Sequence, residues 1–227
     1  MPMPLTNELV DDSTIISDVD RGLYDVIEAA INNGHELRDY KENRAWDPYD
    51  NENSESELTN YELVDCAIGE NLRHELNSGA NVNARFKFEQ TALMYACEGS
   101  LTAAKVLVEL GADVNAIGNF GSNALFTAIG NKQNEIVDLL IRNGADIHSE
   151  STSTLNDGRF NSSPLVYAVG VSNLPAVKLL LDNGADPNTK DINGDMPLGN
   201  AIRLKATEIS NLLIERGATF VEPIENA

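Results

Sequence analysis

The stretch Leu110-Gly-Ala-Asp-Val-Asn115 decides the fold of this chain, because near copies of it recur along the sequence. Strong copies are Ser78-Gly-Ala-Asn-Val-Asn83, Asn143-Gly-Ala-Asp-Ile-His148 and Asn183-Gly-Ala-Asp-Pro-Asn188. Weaker copies surround the glycines at positions 34 and 217. The six glycines are separated by 45, 32, 33, 40 and 33 residues, so a repeat of about 33 residues with two insertions accounts for every interval.

Each copy of the phrase is expected to end one helix and to precede another. The residue three positions before each glycine is aliphatic, and apolar residues recur upstream of it at helical spacing. Glycine adopts the left-handed backbone that ends a helix without a steric penalty. A shorter helical pattern follows each turn, in the segments Thr91–Ala96, Asn123–Ala128, Ser163–Ala168 and Met196–Ala201. Thr, Asn and Ser are expected to cap three of these helices, and Asp195 the fourth.

These phrases resemble the ankyrin repeat, whose unit is a turn, a helix beginning Thr-Pro-Leu-His-x-Ala, a second helix and a Gly-Ala-Asp-x-Asn ending. The resemblance covers about residues 60–220, with four good copies and one weak copy at 60–83. It implies an all-α solenoid of about five to six helix–turn–helix repeats joined by β-hairpin-like turns. The chain departs from the pattern where the family has histidine, at Met94, Phe126, Val166 and Gly199.

The sequence divides into a repeat array with additions before and after it. We expect a flexible N-terminus at 1–12, a divergent capping repeat at 13–41 and an acidic loop at 42–57. The array then occupies 58–220, and a tail occupies 221–227. The repeats within it are placed at 58–84, 85–117, 118–149, 150–189 and 190–220. The fourth has a turn insertion within Ser149–Asn161. We expect this insertion to project as a flexible finger or to be a tolerated surface insertion.

Acidic residues dominate the composition. The chain of 227 residues has 36 Asp and Glu against 16 Lys and Arg, a net charge of −20, and residues 1–60 account for −11 of it (fifteen acids, four bases). This balance argues against a nucleic-acid partner and against an anionic membrane surface, since both require clustered bases. It favours a partner protein with a basic surface, or serves solubility alone.

The acidic loop 42–57 contains the only tryptophan of the chain. Its residues Trp46, Tyr49, Asp50 and Glu52 are candidate partner contacts, because Trp and Tyr are frequent interface anchors. The alternative is that the two aromatic side chains fold back onto the nearest helices.

The resemblance also implies where the array binds. Ankyrin arrays bind proteins through the tips of their turns and the concave face of their first helices. An aromatic stripe rimmed by acids is therefore expected there, with packing of Phe86 or Phe88 between neighbouring turns as an equal alternative. The candidate residues of the array are Phe86, Phe88, Glu89, Tyr95, Glu98, Phe120, Thr127, Tyr167, Asp191 and Asn200.

Residues that carry chemistry do not form a recognisable constellation in the sequence. The three histidines lie at non-equivalent positions, and neither Cys66 nor Cys97 stands at metal-ligand spacing from one of them. There is no glycine-rich phosphate loop or nucleophile elbow. We therefore predict no metal, no cofactor and no enzymatic activity, and a reduced, cytoplasmic chain that is a monomer when free.

Three functional hypotheses remain. The first is a protein-binding module for a partner with a basic surface. The second is a narrower form of it, an immunity protein or inhibitor that covers the basic active site of a toxin or effector enzyme. The third is an enzyme with a cryptic acidic site, which requires a pocket with two converging carboxylates of raised pKa.

Overall fold

A computed structural model describes residues 23, 25–29, 68–86, 89–148, 162–191, 194 and 196–219 of the chain, and of Phe120 it describes only the backbone. Several sequence predictions lie outside these residues. They are the acidic loop 42–57 with its four candidate contacts, Phe88, the insertion within 149–161, the cap Asp195 and the two terminal segments.

Eight α-helices have both ends within the described residues, and short helices alternate with longer ones. The short helices are α1 (Ala92–Ala96), α3 (Ala124–Gly130), α5 (Pro164–Gly170) and α7 (Pro197–Arg203). The long helices, of nine residues each, are α2 (Leu101–Glu109), α4 (Asn134–Arg142), α6 (Leu174–Asp182) and α8 (Thr207–Glu215). Each short helix packs on the long helix that follows it, and neighbouring short helices pack on each other from α1 to α7. The all-α stack predicted from the sequence is confirmed.

Polar side chains begin three of the four short helices, α1, α3 and α5, as expected. The hydroxyl of Thr91 accepts a hydrogen bond from the Met94 amide at 3.4 Å, and Asn123 Oδ1 accepts one from the Phe126 amide at 2.9 Å. Ser163 caps α5 in the same way. These side chains satisfy amides that the first turn of a helix leaves without a backbone partner.

Glycine ends each long helix, which confirms the sequence prediction. At the end of α2, Gly111 has φ +89°, and the equivalent glycines 79, 144, 184 and 217 have φ between +86° and +110°. The amide of Ala112, one residue further, donates to the carbonyl of Leu107 at 2.9 Å. This bond satisfies a carbonyl at the helix end, so the chain leaves the helix in a fixed direction.

One apolar core runs through the whole stack. Leu93 and Leu125 of the short helices, and Leu107 and Leu140 of the long helices, are fully or almost fully buried. Leu23 and Ile27 belong to the same core, as do Ile68 and Leu72. The helical residues 25–29 therefore pack on the array, and burial of this extended core supplies the main force that holds the repeats together.

Three of the four positions where the family has histidine are apolar and buried here, and the fourth, Gly199, is half-buried. Met94, Phe126 and Val166 are at most 5% exposed. The turns are closed by backbone contacts instead, with an antiparallel bridge between Arg85 and Thr91 and a 2.8 Å bond from the Gly118 amide to the Ser122 carbonyl.

Candidate functional site

A row of three exposed aspartates lies along three successive turns of the array. Asp113, Asp146 and Asp186 follow the glycine that ends the preceding helix by two residues. The Oδ1 atom of each accepts a hydrogen bond of 2.8 to 2.9 Å from the amide two residues further along the chain. Asn81 makes the same contact at 3.0 Å in the first described turn. Each carboxylate is therefore oriented by its own turn.

Asparagine side chains connect these turns from one repeat to the next. Asn115 Oδ1 accepts a bond from the Asp146 amide at 2.8 Å, and its Nδ2 donates to the Gly144 carbonyl at 2.9 Å. We call the three asparagines that bridge in this way the asparagine clamps: Asn83 (to Asp113), Asn115 (to Asp146 and Gly144) and Asn188 (to Thr219 and Gly217). The Asn115 clamp fixes the spacing between Asp113 and Asp146.

His148 stands at the fourth clamp position, and the contact differs there. Its amide donates to Asp146 within its own turn at 2.8 Å, as in the other repeats. Asn115 bonds to Gly144 and Asp146 of the next turn, and the corresponding residues for His148 are Gly184 and Asp186. Among the described residues, no hydrogen bond joins the His148 side chain to the Gly184–Asp186 segment. The insertion 149–161 follows directly at this point of the chain.

Negative charge predominates on the described turns. The residues of the turns carry five carboxylates, those of Glu89, Asp113, Asp146, Asp186 and Asp191, against two bases, Arg85 and Lys190. Arg85 is held by its own turn and by the next one, because its Nη1 donates to the carbonyl of Glu89 at 3.0 Å and to that of Ile117 in the following repeat at 2.8 Å. The turn edge therefore presents an acidic surface with a fixed backbone.

The aromatic stripe predicted from the sequence is only partly present. Phe86 is 2% exposed, and its ring meets Tyr95 edge to face with 6.1 Å between the centroids. The expectation that Phe86 lies on the surface is wrong, because the turn folds it inward between the bridge and α1. The packing alternative describes this residue, and Tyr95 remains half-buried beside it.

Tyr167 lies across the junction between α3 and α5. Its ring is 5.3 Å from the ring of Phe126 in the preceding repeat. Its hydroxyl lies over Gly130, where an added Cβ atom would come within 2.6 Å of it. Gly130 thus permits the close approach of Tyr167, which is half-buried and keeps one side toward solvent.

Thr127 and Asn200, the other two candidates on the short helices, differ in their surroundings. Thr127 is half-buried, and its hydroxyl donates to the Asn123 carbonyl at 2.9 Å within α3. Asn200 is 6% exposed and accepts a 2.5 Å bond from Arg203 Nη2. The expected position of Asn200 on the binding surface is therefore wrong, because α7 turns this side chain inward.

The remaining candidates lie in the turns or near the end of a short helix. Glu89 is exposed at φ +57°, beside Arg85. Glu98 and Asp191 are half-buried, the first near the end of α1 and the second in the turn before α7. Phe120 lies in the 3₁₀ turn Asn119–Gly121. The structure thus brings Glu89 and Asp191 to the turn edge, and Tyr95, Glu98 and Tyr167 to the short helices.

The sequence interpretation did not single out the aspartate row or the asparagine clamps as functional residues. The signal was present, because Asp recurs two residues after the glycine and Asn four residues after it. These positions were used to recognise the repeat, and the bonds that join them span about thirty residues of sequence. The cross-repeat role becomes visible only once the repeats are stacked.

The described residues contain little that supports catalysis. Burial, and after it the Glu98 carboxylate, raises the pKa of the fully buried Cys97 thiol well above its ordinary range, so this thiol is a poor nucleophile. No group of three His, Cys, Asp or Glu within the described ranges has the geometry to hold a metal ion. In the same part of the chain, every helix is too short or too polar to cross a membrane.

Comparison with known proteins identifies the repeat. A family model described as ankyrin repeats (three copies) matches residues 57–151 and 149–223. The matched stretches include all eight helices and all three asparagine clamps. No match was found among curated proteins.

Proposed function

The chain belongs to the ankyrin repeat family, and from this premise we propose that it is a non-enzymatic module that binds a partner protein with a basic surface. Ankyrin repeats mediate protein–protein interaction. The proposal adds the charge of the partner and the residues that meet it.

The aspartate row is the observation that carries this proposal. Three exposed carboxylates recur at intervals of one repeat, each oriented by its own turn, and the first two are joined by Asn115. A preorganised row loses little side-chain entropy on binding. Fixed negative charge also steers a basic partner toward the turn edge and raises the association rate.

Aromatic side chains on the short helices would supply affinity next to this edge. Tyr95 and Tyr167 are half-buried, and each is supported from beneath by a buried phenylalanine. An aromatic ring held in one orientation and open on one side is the kind of residue that dominates binding energy. Glu98, Glu89 and Asp191 would then form the charged rim.

The acidic loop 42–57 would be a second contact region. Residues 1–60 carry −11 of the −20 net charge, and Trp46 and Tyr49 lie within the loop together with Asp50 and Glu52. Acids and aromatics in one segment suit a basic surface with apolar pockets.

The test begins with affinity capture from a lysate of the source cells at low and at physiological salt, followed by identification of the retained proteins. Association of the strongest retained protein is then measured with the triple variant Asp113→Asn, Asp146→Asn, Asp186→Asn. Asn keeps the oxygen that accepts the turn hydrogen bond, as Asn81 does naturally, so the variant removes charge without removing the turn contact. We expect the association rate at low salt to fall about tenfold and its salt dependence to weaken.

A matched control makes the same change in net charge on the helices. Glu135→Gln and Glu208→Gln, in the first turns of α4 and α8, and Glu70→Gln, in the helical segment that ends before Gly79, remove three exposed carboxylates away from the turn edge. The control should keep most of the association rate. Equal losses in both triple variants, or binding that does not respond to salt, would contradict the proposed turn-edge surface.

A narrower form of this function is inhibition of an enzyme with a basic active site, such as a nuclease-type toxin. The concentration of acid and aromatic residues in 42–57 favours it, because such a loop mimics the charge of a phosphate substrate. Co-expression with the gene product encoded next to this one should then rescue cells from its toxicity. Absence of both rescue and binding would rule out this form while leaving the protein-binding module intact.

A further inference from the structure

Two of the five helix-ending glycines follow an asparagine. Asn143 and Gly144 end α4, and Asn183 and Gly184 end α6. An asparagine before glycine is prone to lose its side-chain ammonia, because glycine has no Cβ to crowd its backbone nitrogen. Both asparagines are exposed, and both stand in the same sequence, Asn-Gly-Ala-Asp. We therefore expect their reactivity to be nearly equal in an unfolded chain.

The reaction is an attack within the chain. The backbone nitrogen of the glycine gives up its proton to solvent and forms a bond to Cγ of the asparagine. The bond between Cγ and Nδ2 then breaks, and Nδ2 takes a proton from solvent and leaves as ammonia. Water opens the resulting cyclic imide at either carbonyl, which gives aspartate or isoaspartate. The reaction therefore requires a free glycine amide and a backbone that brings this nitrogen to Cγ.

The folded end of α6 opposes both requirements. Asn183 has ψ 12°, which turns the following amide nitrogen away from the asparagine side chain. The Gly184 amide donates to the Leu181 carbonyl at 3.2 Å, and Asn183 Nδ2 donates to the Leu179 carbonyl at 2.8 Å. The end of α4 has the equivalent bonds and a ψ of 19° at its asparagine. The reaction therefore proceeds only when the last turn of the helix opens.

The two helix ends differ in how the preceding repeat holds them. The Gly144 carbonyl accepts a bond from Asn115 Nδ2 at 2.9 Å, and the same side chain holds the next turn through the Asp146 amide. At the end of α6 the clamp position is His148, and among the described residues no hydrogen bond reaches the Gly184 carbonyl. Opening of the α4 end therefore breaks contacts that the α6 end does not have.

We propose that Asn183 is a site of spontaneous deamidation in the folded chain, and that the Asn115 clamp protects Asn143 from the same reaction. The product at position 183 lacks the Nδ2 donor to the Leu179 carbonyl. It also places a negative charge at the C-terminal end of α6, where the helix dipole disfavours it. Deamidation therefore weakens, without reversal, a helix end at the junction that already lacks a clamp.

Incubation of the full chain at mildly alkaline pH tests this proposal. Peptide mass spectrometry gives the deamidated fraction at Asn143 and Asn183 over time. The same chain in urea provides the reference, in which the two rates should be equal. In the folded chain we expect both sites to react more slowly than in urea, and Asn183 to react about fivefold faster than Asn143, because only the α4 end is clamped.

Two clamp variants test the role of Asn115. Asn115→Ala should raise the rate at Asn143 to about that at Asn183 and leave the rate at Asn183 unchanged. Asn188→Ala removes the clamp that holds Gly217 and should change neither rate. Equal rates at the two sites of the folded chain, faster reaction at Asn143, or an unreactive Asn183 while the chain in urea reacts would each overturn the proposal. An equal rise at both sites in Asn115→Ala would overturn the protective role of the clamp.

Discussion

Two junctions of the array are built differently. At the junction between the α1/α2 repeat and the α3/α4 repeat, Asn115 connects the two turns with bonds of 2.8 and 2.9 Å. Where α3/α4 meets α5/α6, His148 stands at the clamp position, and Tyr167 and Asn173 connect the short-helix side. The first junction also has a bond on this side, from Gln133 Nε2 to the Glu98 carbonyl at 3.1 Å, but Thr127 stands there at the position of Tyr167. Asn173 is buried, and its Nδ2 donates to the Ile129 carbonyl at 3.1 Å.

The contrast shows that the repeated phrase has two separate structural roles, one within a repeat and one between repeats. Its glycine and aspartate act within one repeat, and they act identically at both junctions. Its last residue acts between repeats, and at the junction that has His148 in place of Asn this contact is missing among the described residues. At the junction next to the turn insertion, where the described residues include no clamp, the Tyr167 ring on Phe126 and the Asn173 bond connect the two repeats.

The largest expected effect tests that packing. Tyr167→Ala should lower the free energy of unfolding by about 2 kcal/mol, because a half-buried aromatic ring on Phe126 is lost. Chemical denaturation measures it. Thr127→Ala, at the equivalent position one repeat earlier, is the control and should change stability by less than about 0.5 kcal/mol, since that hydroxyl bonds only within α3. Comparable losses for the two variants would show that Tyr167 does not hold the junction.

Removal of a clamp should have a smaller effect. Asn115→Ala should cost about 1 kcal/mol, because it deletes two exposed cross-repeat bonds. In a chain of this size the Tm should fall by about 3 °C. His148→Ala is the matched variant and should lie within about 0.5 kcal/mol of the parent. A loss at His148 as large as that at Asn115 would remove the distinction between the junctions.

Restoring the missing clamp should stabilise the chain. His148→Asn places an amide at the position from which Asn115 reaches its two partners, so we expect a gain of about 0.5 kcal/mol. Hydrogen exchange at the Asp186 amide should slow in this variant. His148→Gln, whose amide is one methylene further from the backbone, should give neither effect. Unchanged exchange at Asp186 in the asparagine variant would show that the two repeats are too far apart there to be clamped.

The smallest effect compares the loops between short and long helices. Lys132 has φ +56° and Ser172 has φ +51°, a conformation that favours glycine. Lys132→Gly and Ser172→Gly should each gain about 0.5 kcal/mol, measured by thermal unfolding. Equal gains would show that the two junctions differ only at the turn edge. A gain in only one loop would show that they also differ at the helix ends.

Much of the fold follows from the sequence because it depends on local rules. The helix stop at Gly111, the cap at Thr91 and the spacing of the buried leucines are each set by neighbours within one turn. The site is less predictable because exposure depends on contacts between distant segments. Phe86 and Tyr95 both read as surface aromatics, yet the fold of one turn buries the first against the second. Asn200 likewise occupies a position that is half-exposed at Tyr95, and only the packing of α7 turns it inward.

The fully buried thiol of Cys97 can report when the helix stack opens around α1. Only a thiolate attacks an alkylating reagent at a useful rate, and burial raises the pKa of this group while closing its access. Alkylation at Cys97 therefore proceeds only when α1 separates from its neighbours. The rate constant of alkylation, measured by peptide mass spectrometry, reports how often the stack opens around α1 in the unmodified chain. A substitution above that changes the stability of the stack should change this rate constant.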